Sequence, residues 1–166
     1  EKEPDLDPIL RIDTTDCTIH VLTSIAMNSS KNWNETKIKM IDIHYKPDEN
    51  NLKKPNYKTR WHYTSDRITN NPYTVNITSD LVSKVELEEI ELTLNKKSDG
   101  SEFLNLDWNF KNKFEFIPSE LVDSDMLSRL PRICGVAFVK KSYVKNGILI
   151  AHEGFVIDKK FLVHAS

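Results

Sequence analysis

The stretch GILIAHEGFVIDKKFLVHA, residues 147–165, decides how the rest of the chain is read. Two apolar, β-rich runs flank Asp158-Lys159-Lys160, and three residues make a common hairpin loop. With that loop Ile157 faces Phe161, and Gly154 faces His164. His152 then lies on the same face as His164 and diagonal to it, roughly 7–8 Å away at Cα. A two-residue loop would put the two histidines on opposite faces. The register therefore decides whether His152 and His164 can act together. A third apolar run, CGVAFV at 134–139, precedes the pair and completes a C-terminal meander.

Working toward the N-terminus, SELVDSDMLSRL (119–130) reads as a short helix opened by Pro118-Ser119 and closed by Pro131. FLNLDWNFKNKFEFI (103–117) alternates as a strand pair would. VELEEIELTL (85–94) carries both signals, a glutamate density suited to a helix and an alternation after Ile90 suited to a strand. YKTRWHYTSD (57–66) and PYTVNITSD (72–80) are rich in β-type residues, as is KIKMIDIHY (37–45), which predicts a strand with His44 on its surface. PDENNLKKP (47–55) is a polar loop. In DTTDCTIHVLTSIAMNSS (13–30), Cys17, Val21 and Ile25 recur every four residues beside Leu22 and Ala26, an apolar stripe at helical period. Asp13, Thr14, Thr15 or Asp16 can cap that helix. Residues 1–13, polar with two prolines, read as an extended arm. The order predicts one α+β domain over 1–166, a helix followed by a mostly antiparallel sheet.

Bulk properties narrow the function. The 166 residues allow one sizeable core. Formal net charge is −2, so bulk attraction to nucleic acid is not expected. No apolar run approaches a membrane span, and no signal peptide is visible, although a start at Glu1 suits a processed chain. The two cysteines, Cys17 and Cys134, are too few for a disulfide scaffold. They could pair with each other, and Cys134 otherwise reads as a buried core thiol. There is no CxxC pair and no glycine-rich phosphate loop, so no cofactor is implied.

Two histidines on one sheet face can be metal ligands, buried residues satisfied by backbone, or a base and its orienter. No convincing third metal ligand accompanies them. The third use requires a nucleophile, and Cys17 is the candidate. It follows Asp16 at a predicted helix start, where unpaired N–H groups and the helix dipole favour a thiolate and a developing oxyanion. The plainer alternative is a small hydrophobe on the helix stripe. His20, one turn on, reads as a surface histidine.

Asp16-Cys17-Thr18 opening a helix resembles the DC[ST] motif of the NlpC-type papain-like cysteine peptidases, which are bacterial cell-wall hydrolases. His152-Glu153-Gly154-Phe155-Val156 followed by Val163-His164-Ala165 is similar to that family's HVGIY…IHA. Arg60-Trp61-His62-Tyr63, the Ile117-Pro118 helix and the block from Arg132 to Ser166 resemble its N-acetylmuramoyl-L-alanine amidase-like branch. The resemblance implies a papain-like fold with Cys17 as nucleophile, His152 as base and His164 orienting His152. Asp16 could bind substrate or merely cap the helix, and Arg60, His62 and Tyr63 could line a substrate groove or belong to a half-exposed strand with aromatic packing. The resemblance further implies a peptidoglycan or muropeptide substrate, no metal, and a periplasmic or secreted location. The chain departs from the branch at His20 and Leu22, at Val136 where the family has the aspartate of a Gly-Asp pair, and at Glu153. A stem-peptide endopeptidase and a non-catalytic binding domain are the alternative readings.

Overall fold

A computed structural model of the chain describes residues 9–165. It divides into two units, Glu1–Tyr73 with His164–Ser166, and Thr74–Val163. Its elements are helices and antiparallel strands, an α+β composition.

The first unit is helical. Helix α1 spans Cys17–Asn28, with Asp16 as N-cap accepting the Ile19 N–H at 2.7 Å. Removing such a cap costs about 1 kcal/mol. Helix α2 spans Trp33–His44, so the strand expected at 37–45 is a helix. Two causes are visible. Asn32 caps it, accepting from Glu35 N–H, while the Glu35 carboxylate accepts from Asn32 Nδ2 and from the Lys31 N–H. Its buried residues, Thr36, Met40, Ile43 and His44, also fall at helical spacing. On a strand Ile38 and Met40 would share a face, but Ile38 is 68% exposed and Met40 0%. Leu22 and Ala26 of α1 form one cluster with Met40 and Ile43 of α2, and Ile9 and Leu10 lie against it. Truncating such a buried leucine to alanine costs about 2–5 kcal/mol. Part of the predicted arm, residues 1–8, lies outside the described residues.

The expected strands at 57–66 and 72–80 are also replaced. A 3-10 turn covers Tyr57–Thr59, helix α3 covers Thr64–Asn70 and helix α4 covers Thr78–Leu81. Ladder contact here is a bridge from Tyr45 to Arg60, flanked by Lys46 N–H to Thr59 O and Trp61 N–H to His44 O. His44 is buried at the end of α2, not a strand surface residue.

Asp42 ties three segments of this unit together. It accepts from Lys39 on its own helix, from Lys53 at 3.0 Å and from the Tyr73 hydroxyl. Burial raises its pKa, but the hydrogen bonds from Lys53 and Lys39 outweigh that and leave it below the ordinary carboxylate value. The folded state thus binds the proton less readily than the unfolded chain. The stabilisation is full above the ordinary carboxylate pKa and fades as pH falls through the lower folded value. Asp42→Asn is therefore expected to melt below wild type at neutral pH, with the gap closing in acid. Thermal melts across pH check this, and a gap independent of pH would refute it.

The second unit holds both sheets. Strands β1 (Glu88–Leu94) and β2 (Phe110–Phe116) pair antiparallel with Glu88 opposite Phe116. The residues expected to form a strand pair at 103–117 thus supply one strand, whose partner comes from the ambiguous stretch at 85–94. Helix α5 (Ser124–Arg129) follows, capped by Asp123. Strands β3 (Ile133–Val139), β4 (Ile150–Ile157) and β5 (Phe161–Val163) form a sheet in that order. Cys134 and Val156 lie against a cluster of Leu81, Val82, Met126 and Leu130.

Ile157 pairs with Phe161, Val156 with Leu162 and Phe155 with Val163, the register that a three-residue loop predicts. Asp158 and Lys159 both take left-handed φ, +51° and +60°. The loop is tied back by Asp158 N–H to Arg132 O, Arg132 Nε to Asp158, and Lys159 Nζ to Ser128 O.

Candidate active site

Cys17 is the first residue of α1, half-buried, with a free thiol. The first turn of a helix leaves its N–H groups without intrahelical partners, and Asp16 satisfies that of Ile19. Asp16 itself is exposed, and capping accounts for its side chain. Cys134 is also a free thiol, so the two cysteines are not paired. Burial pushes the Cys134 thiol above its ordinary value, although the Val156 N–H donates to it and pulls the other way. Its packing beside Val156 on the Met126 cluster suits a structural residue. His20 is half-buried on α1, with Nε2 shielded from solvent.

His152 sits in β4 directly opposite Phe138 of β3, half-buried. The two rings stack at 6.0 Å between centroids and 29° between planes. Its neighbour Glu153, opposite Ala137, is 4% exposed. His164 follows the last residue of β5 and is exposed. Cys17 and His164 belong to the first unit and His152 to the second.

The segment Arg60–Tyr63 is in the first unit. It runs from the Tyr45 bridge into α3, for which Tyr63 is the N-cap residue. Trp61 and Tyr63 are buried, while Arg60 and His62 are half-buried. Arg60 and His62 converge on Tyr57. The Arg60 guanidinium is 5.7 Å from the Tyr57 ring centroid, and the His62 ring 4.5 Å. His62 Nε2 lies 2.6 Å from the Tyr57 carbonyl oxygen. A carbonyl only accepts, so Nε2 carries the proton there. Sequence reasoning did not single out Tyr57. Its place at the head of a run rich in β-type residues offers no signal, and the 3-10 turn brings it to His62.

Beneath this segment Lys46 pairs with Asp66 at 2.6 Å and lies over the Trp61 ring at 4.7 Å. Asp66 also accepts from Asn70 Nδ2 at 2.9 Å. The Lys46–Asp66 pair holds α3 to the segment that leaves α2. No helix among the described residues is long and apolar enough to cross a membrane.

A family model described as N-acetylmuramoyl-L-alanine amidase-like matches residues 1–166. Among solved structures, the crystal structure of protein LPG0564 from Legionella pneumophila strain Philadelphia 1, described under the family model DUF1460, is similar. Its TM-score is 0.66 at 17% identity, over 92% of this chain and 64% of that one. At that identity the likeness concerns the fold, and this chain spans less than two thirds of that protein's length. No curated protein sequence gives a significant match.

Proposed function

The chain belongs to the N-acetylmuramoyl-L-alanine amidase-like family, and from that premise we propose that it is a cysteine amidase of the cell envelope. It cleaves the amide between N-acetylmuramic acid and L-alanine in peptidoglycan fragments. We read the fold as papain-like, with the nucleophile at the start of α1 and the base on β4.

In this reading Cys17 Sγ attacks the lactyl carbonyl carbon as a thiolate, and its proton resides on His152. The tetrahedral oxyanion is met by the Cys17 backbone N–H at the helix start. The C–N bond breaks, and His152 gives its proton to the departing L-alanine nitrogen. Water then adds to the thioester with His152 as base, the muramic acid carboxylate leaves, and the thiol is restored. His164 orients the His152 ring, as the third member of a triad does. Asp16, Arg60, His62 and Tyr63 are assigned to the substrate. Arg60 presents a cation beside the Tyr57 ring, and His62, whose Nε2–H is held by the Tyr57 carbonyl, fixes that ring's surroundings. The observation that carries the reading is a free, half-buried thiol at the first turn of a capped helix in a chain that the family model matches throughout.

Digestion of purified muropeptides, with products identified by mass spectrometry, tests it. Free peptides beginning with L-alanine are expected from the wild type and not from Cys17→Ala. Cleavage inside the stem would move the protein to the endopeptidases. No product, with Cys17 also inert to alkylation, would leave a binding domain.

A further inference from the structure

We infer that Phe138 is a positioning residue for His152, holding the imidazole plane that the proposed amidase reaction needs; the inference rests on that reading. Three observations on β3 and β4 carry it. Phe138 is the cross-strand partner of His152, so their side chains leave the same face of the sheet. The rings stack at 6.0 Å and 29°, an offset geometry that aromatic pairs favour. The ladder also breaks at this point. Phe138 pairs with His152 but Val139 pairs with Ile150, so Ala151 is left over as a bulge beside the histidine. A bulge increases the local twist and re-aims the neighbouring side chain.

The physical need is specific. The second torsion of a histidine has a broad, two-fold preference, so its rotamer alone does not set the ring plane. A hydrogen bond from an orienting group fixes one ring nitrogen but still allows rotation about that bond. His164, the assigned orienter, is exposed and lies beyond the end of β5. An aromatic face against the imidazole removes the remaining rotation. Phe138 is itself 40% exposed, more than a residue serving only the core requires. A general base loses efficiency when its geometry is off by about 10–20°.

Phe138→Leu, Phe138→Ala and Phe138→Tyr separate ring-plane control from bulk. The first readout is kcat and KM on an N-acetylmuramoyl-L-alanyl peptide. The second is the rate of Cys17 alkylation by iodoacetamide across pH, with His152→Ala as reference and the Tm of each variant as a fold control. The leucine and alanine variants are expected to lose about tenfold in kcat with KM within about twofold, and the tyrosine variant to stay near wild type. Their alkylation profile should move toward that of His152→Ala. A leucine variant matching wild type in both readouts, beside losses in His152→Ala, overturns the positioning role and leaves the amidase reading intact. Leucine and tyrosine variants falling together in step with Tm overturn it as well. A wild type that cleaves no cell-wall amide, but whose alkylation depends on both His152 and the ring at 138, supports the positioning role and rejects the amidase.

Discussion

On the proposed cysteine mechanism, Cys17→Ala is expected to abolish amide hydrolysis, with kcat falling by about 10⁴-fold or more, while the protein stays folded. The first half of this expectation follows from the covalent route. Without Sγ no thioester forms, and the helix-start N–H groups have no tetrahedral adduct to stabilise. The second half follows from the position. Cys17 is half-buried at the first turn of α1, whereas the α1–α2 cluster is centred on Leu22, Ala26, Met40 and Ile43. The Asp16 cap does not depend on the thiol. Tm should therefore stay within a few degrees of wild type, consistent with ~1 kcal/mol or less. His152→Ala should match the cysteine variant, because nucleophile and base act as a unit. His164→Ala should cost about 10–100-fold less than either, since the base survives with a poorly defined orientation. Initial rates on one muropeptide, with circular dichroism of each variant, decide it. Equal losses in all three variants would make His164 a proton carrier, and a fully active Cys17→Ala would end the cysteine mechanism.

A large stability effect is expected in the second unit, at Gly147. Gly147 closes the 3-10 turn of Lys141–Asn146 with φ +71°, three residues before β4. Its carbonyl accepts from Asn95 N–H at 3.1 Å. A Cβ at this glycine would lie 2.6 Å from Lys96 N and 2.7 Å from Lys96 O. Both are backbone atoms that cannot swing aside. Asn95 is fully buried and left-handed, with φ +67°. Its side chain donates to Trp108 O at 3.1 Å and accepts from Leu104 N–H at 2.8 Å. Gly147→Ala must therefore adopt a disfavoured φ and also push apart a hydrogen-bonded joint. We expect a loss of about 2–4 kcal/mol, against about 1 kcal/mol for conformation alone. Gly100→Ala is the internal control, because its φ is +86° and nothing lies within 4 Å of its added Cβ. Urea unfolding of both variants tests the argument. Equal losses would mean that the Lys96 contact relaxes freely and only the dihedral matters. Because Gly147 feeds β4, a destabilised Gly147→Ala should also lower activity in proportion to its unfolded fraction.

Two features were legible from short stretches of sequence. The β4–β5 register follows from a three-residue loop and the period of two along a strand, and it places Ile157 opposite Phe161. Helix α1 follows from the four-residue recurrence of apolar side chains behind a run of capping residues at 13–16, of which the structure selects Asp16. Both depend on residues within one turn or one hairpin. The family resemblance at Cys17, His152 and His164 was legible for the same reason, since it rests on short contiguous motifs. Packing between distant segments settles the rest. KIKMIDIHY can present an apolar face as a strand or as a helix, and it is the α1 face, with Leu22 and Ala26, that selects the helix burying Met40 and Ile43. The pairing of β1 with β2 and of residues 44–46 with 59–61 was likewise open, because each strand-like run admitted several partners. The same holds for Phe138 over His152 and Gly147 against Lys96. Each is a contact between residues remote in the chain, formed only when burial has chosen one pairing among those that the local pattern allows.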